Sequence, residues 1–226
     1  MWLYSISGKN FLLITLLLLG SCAVPAVKGD EMQKSSREQI KISDMTLSFT
    51  TPSIKLSKDF GAPILINEID LNDVTKPNML FHGYWDGPRY QLLSVTGTLR
   101  IWLELSQWPS ELNAVNSCDA KTSAYVNKEF QAEMSKYKQG KRNHEPKIDI
   151  SKLTIAGRNS LRYKLLSDPS PSINYVIPLN NEFLLYLMFE SADNSKHSAG
   201  WQELSEREQS NFLQSLELTG GDSTCN

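Results

Sequence analysis

Histidine and cysteine are scarce in this chain, with three of each among 226 residues. His82, His144 and His197 stand far apart. None is spaced from another, or from a cysteine, in the way local metal sites require, so no zinc motif can be written and no metal or cofactor is expected. The chain also lacks a G-x-S-x-G elbow, an H-E-x-x-H helix and a glycine-rich phosphate loop, which removes the common signatures of hydrolases, zinc peptidases and nucleotide enzymes. An excess of positive charge is missing as well. With 23 Lys and Arg against 25 Asp and Glu, and a net charge of -2, there is no basic field to hold a phosphate backbone, so nucleic acid is not an expected partner. Basic residues gather only between Lys136 and Glu145, where a solvated helix end and loop explain them. Finally, the longest apolar run, Phe11 to Leu19, is well short of the roughly 20 residues that span a bilayer.

That run is nonetheless the most informative stretch. Lys9 precedes it and the small residues Gly20 and Ser21 close it, the pattern of a secretory signal. Its end, Leu19-Gly20-Ser21-Cys22, resembles the lipobox of bacterial lipoproteins. The resemblance implies a diacylglycerol thioether on Cys22, cleavage just before it, and acylation of the new amino terminus. Residue 23 is Ala and not Asp, which in lipoproteins of diderm bacteria points to the outer membrane, here on its periplasmic side. The membrane is then a partner through lipid alone: each buried methylene contributes about 0.8 kcal/mol, so two or three chains hold a protein firmly. The alternatives are an ordinary secretory signal with an incidental Cys22, or a single-pass anchor.

In that compartment the remaining cysteines, Cys118 and Cys225, form an even pair, and a disulfide is the expected state. It would close a loop of roughly 100 residues, worth about 4.7 kcal/mol in the chain-entropy model. Two unrelated thiols are the alternative. The expected organisation is a signal over residues 1–21, a polar tether over 22–39, one domain over 40–220 and a tail over 221–226.

Within the domain, Ile40, Ile42, Leu47 and Phe49 alternate with polar residues and predict a first strand. Met79 to Trp85, a turn at Asp86-Gly87-Pro88-Arg89, then Tyr90 to Val95 and Thr98 to Leu105 give a strand, turn, strand signal. In Thr98 to Leu105, Leu99, Ile101, Leu103 and Leu105 alternate with Arg100, Trp102 and Glu104. Between about 117 and 138 the period changes: Val126, Phe130, Met134 and Tyr137 mark an amphipathic helix with Lys121 and Glu133 turned outward, Ser117 or Asn116 as cap and Gly140 past its end. Four strands follow as a meander, turning at Gly157-Arg158 and at Asn180-Asn181, a pair that accepts positive φ. Phe183 to Phe189 is apolar on both faces and should be the central strand. Ser205-Glu206-Arg207-Glu208 reads as a capping box opening a short helix over about 206–216. The sum is an α+β domain on an antiparallel sheet. In element order the second half, with Tyr175-Val-Ile-Pro-Leu179, Phe183 to Phe189 and a closing helix, resembles the Mog/PsbP-type α/β/α sandwich.

Aromatic side chains supply the candidate contacts. Phe81, Tyr84, Trp85, Trp102 and Trp108, with Arg89 beside them, are residue types favoured where a protein holds a partner. The alternative is that they fill the core. The expected function is therefore a non-enzymatic, lipid-anchored, protein-binding module of the cell envelope, either an accessory factor or an immunity protein against a toxin delivered to the periplasm. The competing reading is an envelope hydrolase of lipid or peptidoglycan, which would need a cleft near His82 and Asp86.

Overall fold

The computed structural model describes residues 34–90, 94–166, 172–193 and 199–221, all within one compact unit. The lipobox and Cys22, most of the tether, His197 and Cys225 lie outside the described residues, and of Arg89 only the backbone is described. The elements are β1 (Arg37–Ile42), β2 (Met45–Thr50), β3 (Lys55–Leu56), β4 (Ile64–Leu65), β5 (Glu68–Ile69), β6 (Asn78–Asp86), β7 (Arg89–Tyr90), β8 (Ser94–Val95), β9 (Gly97–Gln107), α1 (Cys118–Lys138), β10 (Ile148–Ile155), β11 (Arg158–Leu165), β12 (Ile173–Pro178), β13 (Phe183–Asp193), α2 (Ala199–Ser215) and β14 (Glu217–Gly220).

An antiparallel sheet in the order β10-β11-β12-β13-β9-β6-β3 forms the frame, with β4 also paired to β6. A smaller sheet, β14-β2-β1-β5, carries the one parallel pair among the described residues, β1 with β5. The fold is thus α+β on mainly antiparallel sheets, with β13 central between β12 and β9.

Strand alternation divides the large sheet into two faces. Leu99, Ile101, Leu103 and Leu105 of β9, with Leu185, Leu187 and Phe189 of β13, point to one side. There they meet Ile40, Leu47 and Phe49 of the β1–β2 hairpin and Trp201 and Phe212 of α2, forming the main core. Phe212 joins the layers, its ring centroid 5.0 Å from Phe49 and 5.6 Å from Phe189. On the other side α1 packs against β11 and β12, burying Val126 with Leu161, Tyr163, Val176 and Leu184. Its cover ends at the start of β13, where Leu184 is buried and Tyr186 lies at the border. From Met188 and Glu190 of β13 across Arg100, Trp102 and Glu104 of β9 to His82 and Tyr84 of β6, the second face is half-exposed.

Several local expectations need correction. β1 begins at Arg37, inside the stretch expected to be tether, and β14 adds a strand after the closing helix. The segment after Asp86 forms a small β7–β8 hairpin, while β6 and β9 pair directly up to Asp86 opposite Thr98. The β10–β11 turn is Ala156-Gly157, both at positive φ (49° and 75°), and Arg158 already belongs to β11. At Asn180-Asn181 no positive φ is used. Instead Asn180 Oδ1 accepts from the backbone N–H groups of Glu182 and Phe183, both at 2.8 Å, and closes the turn with its side chain.

The helices differ from the sequence pattern too. Ser117 sits at the N-cap of α1 without a capping hydrogen bond. Lys121 and Glu133 are buried where the pattern turned them outward. Polar partners draw them in: Lys121 Nζ donates to the Asn181 carbonyl at 2.5 Å, and Glu133 is paired with Lys136 and Arg142 at 2.6 and 2.7 Å. Helix α2 starts at Ala199, ahead of the apparent capping box. Ser205 is buried inside the helix, its Oγ 3.0 Å from Ser191 Oγ. Glu208, 2% exposed, reaches across to accept from Ser53 N and Oγ at 2.9 and 3.0 Å. Burial of Trp201 against the large sheet accounts for the earlier start. Its indole donates to the Ala192 carbonyl at 3.1 Å and lies where Gly97 leaves room for it.

Candidate functional site

The uncovered half-face is organised by register. β9 places Arg100 directly between Tyr84 of β6 and Glu190 of β13, and the next inward residue, Trp102, between His82 and Met188. Two cross-strand rows result, Tyr84-Arg100-Glu190 and His82-Trp102-Met188, followed by Glu104 opposite Tyr186. Side chains directly opposite in an antiparallel pair approach to roughly 5 Å, so such rows become contact networks.

Arg100 is the hub. Its Nε donates to His82 Nε2 at 3.1 Å and an Nη donates to Glu190 Oε2 at 3.2 Å. The guanidinium carbon lies 5.6 Å from the Tyr84 ring centroid and 5.3 Å from that of Trp102, within cation–π range of both. The His82 ring stands edge-on to Tyr84 and to Trp102, 4.8 Å from each. Trp102 donates its indole N–H to Glu104 at 3.2 Å, and Ser106 donates to the other oxygen of that carboxylate at 2.9 Å. Because arginine only donates, His82 must accept through Nε2, which makes it the neutral tautomer with its proton on Nδ1. Burial, and then the charge of Arg100, hold its pKa below the ordinary value.

At the β6 end of the face, Phe60 stacks on Tyr84, with centroids 4.1 Å apart and planes inclined by 18°, yet is 57% exposed. Beneath the two rings opens a depression of about 480 Å³ lined by Asp59, Asp86, Thr98, Arg100, Glu190 and Ala192. No protein-family model matches this chain, and no curated protein matches it either. The reading of the site therefore rests on its own geometry.

Two of the residues singled out in the sequence stand on this face, Tyr84 and Trp102. Phe81, Trp85 and Trp108 do not: all three are buried. Phe81 and Trp85 fall on the other side of β6 and fill the main core, Phe81 with its centroid 4.8 Å from Phe49. Trp108 is tucked under α1, donating to the Asn180 carbonyl at 3.0 Å, so it offers nothing to a partner. Sequence reasoning missed Phe60, Met188 and Glu190. Alternation along β13 was the signal available for the last two, since Met188 and Glu190 share a parity with Tyr186; Phe60 sits in a loop and gave none.

Elsewhere, Cys118 is buried and disulfide-bonded, and its partner lies outside the described residues. Under α1, Tyr186 donates to Asn174 Oδ1 at 2.6 Å and is hydrogen-bonded to Tyr163. Burial pushes the Tyr186 pKa up to about 12 and that of Tyr163 higher still. Among the described residues, no group of three or more His, Cys, Asp or Glu is placed to hold a metal ion, and no helix is long and apolar enough to cross a membrane.

Proposed function

We propose that this chain is a lipid-anchored protein-binding module of the cell envelope, tethered through Cys22 on the periplasmic side of the outer membrane. It docks its partner on the open half of its large sheet. The observation that carries the reading is that half-face. The wet face of an antiparallel sheet is ordinarily lined with small polar and charged side chains, yet here Trp102, Met188, Tyr84 and Arg100 stand half-exposed together beside the region that α1 covers. Tryptophan, tyrosine and arginine are the residue types that dominate binding energies at interfaces, and this network holds its rings and guanidinium in place before a partner arrives. Helices on opposite faces of an antiparallel sheet also accord with the Mog/PsbP-type resemblance. The tether and the pairing of Cys118 with Cys225 belong to the same proposal, as an anchor at one end of the domain and a clamp on its tail.

Binding is favoured over hydrolysis by the state of His82. Its only lone pair is engaged by Arg100, so the imidazole does not stand ready as a base. Both settings for a binder, envelope accessory and immunity protein, use this face in the same way.

The test is a photoreactive amino acid at Met188 in cells making the lipidated protein, with Ile150, exposed on the edge strand β10, as the control position. A discrete adduct from position 188 that is absent from position 150 is expected. Identical patterns from both positions would overturn the reading.

A further inference from the structure

We infer that the depression beneath Phe60 and Tyr84 receives a cationic side chain, a lysine of the partner protein. The inference rests on the protein-binding reading of this face and specifies the chemistry of its partner. Phe60 and Tyr84 form the wall: the two rings are stacked, the outer one is more than half exposed, and ring faces attract cations. The charge around the rings has the matching sign. Three carboxylates line the depression, Asp59, Asp86 and Glu190, against one arginine. Arg100 is already paired with Glu190 and lies against Tyr84 and Trp102. Asp59 and Asp86 have no ion-pair or side-chain hydrogen-bond partner among the described residues.

The mixed lining also argues against other occupants. An anion would have to approach Arg100 past three carboxylates, and a purely apolar side chain would strip water from Asp59 and Asp86 without replacing it. A lysine satisfies both parts, its aliphatic stem lying on the Phe60 ring and its ammonium reaching the two aspartates. The volume of about 480 Å³ is ample for one such side chain and too shallow a space for a folded element.

The test uses the mature lipidated chain in detergent micelles with labelled aromatic rings, read by NMR. The probe is the capped tripeptide acetyl-Ala-Lys-Ala-amide, compared at matched ionic strength with the same tripeptide carrying norleucine in place of lysine. The lysine peptide is expected to shift the Phe60 and Tyr84 ring resonances saturably, and the norleucine peptide to leave them in place. Asp59→Asn with Asp86→Asn should weaken the lysine peptide about fivefold, the sum of two exposed ion pairs. Phe60→Leu, an exposed change that keeps the fold, should weaken it as well. Equal shifts from both peptides, no shift from either, or an unchanged affinity in the double aspartate variant would each overturn the inference. If that happens while the position 188 adduct still forms, only the lysine pocket fails; loss of the adduct as well removes the docking face itself.

Discussion

Replacing Phe212 and Trp102 in turn by alanine should separate the two faces of the large sheet. Phe212 is 1% exposed, and its ring touches Phe49 of the hairpin, Phe81 of β6 and Phe189 of β13. Its removal leaves a cavity where three layers meet, a change that costs about 3–5 kcal/mol. For a domain of this size each kcal/mol shifts Tm by about 2–4 °C, so Phe212→Ala should lower it by about 6–20 °C. Trp102 is half-exposed and contributes one indole hydrogen bond to Glu104, one cation–π contact with Arg100 and one edge-on ring contact with His82. Those contacts sum to about 2–3 kcal/mol, or a fall in Tm of about 4–12 °C. Thermal unfolding followed by far-ultraviolet circular dichroism, with the disulfide intact, reads both. If Trp102→Ala destabilised the protein as much as Phe212→Ala, the half-face would be part of the fold's interior and the reasoning would fail.

The lowered pKa of His82 has a definite sign in stability. Its unfolded imidazole takes up a proton first, so as pH falls below the ordinary value of 6.5 the unfolded state binds more protons and stability declines. His82→Gln, which keeps an acceptor for Arg100, should flatten that part of the stability–pH profile; an unaltered slope would contradict the assignment. Gly97→Ala should cost about 1–3 kcal/mol in urea unfolding, because a Cβ there would stand 2.1 Å from Trp201 Nε1 and 2.5 Å from the Ala192 carbonyl oxygen. A neutral result would mean that α2 does not dock by Trp201. For the tail, alkylation and mass measurement should find Cys118 and Cys225 protected until reductant is added, and loss of the bridge should cost about 2–4 kcal/mol. Two thiols alkylated without reductant would end that pairing.

The fold class and the site were legible in the sequence to different depths. Alternation marked β9 so clearly that both of its faces could be assigned, and Arg100, Trp102 and Glu104 are the spine of the site. The aromatic count was less informative. Phe81 and Trp85 share a strand with Tyr84 but point the other way, and only the position of α2 and the hairpin decides which parity is wet. Trp108 precedes a proline in a loop, a context equally suited to exposure or burial, and α1 settled it by lying over the ring. The capping-box pattern misled because Ser205 and Glu208 are bound to Ser191 and Ser53, residues distant in sequence. The same holds for Lys121 and Glu133, whose partners Asn181 and Arg142 no helical periodicity could supply. Cross-strand neighbours such as Glu190 opposite Arg100 depend on the β13–β9 register, which strand signals alone do not fix.

The central claim is that the open half of the sheet is where a partner docks. Its most direct measurement is the affinity of the partner captured through position 188 for the Trp102→Ala chain, compared with the unaltered chain in the same detergent. The account predicts a loss of about tenfold or more, the behaviour of a central aromatic anchor, in a protein that still melts cooperatively. An unchanged affinity in that folded variant would contradict it.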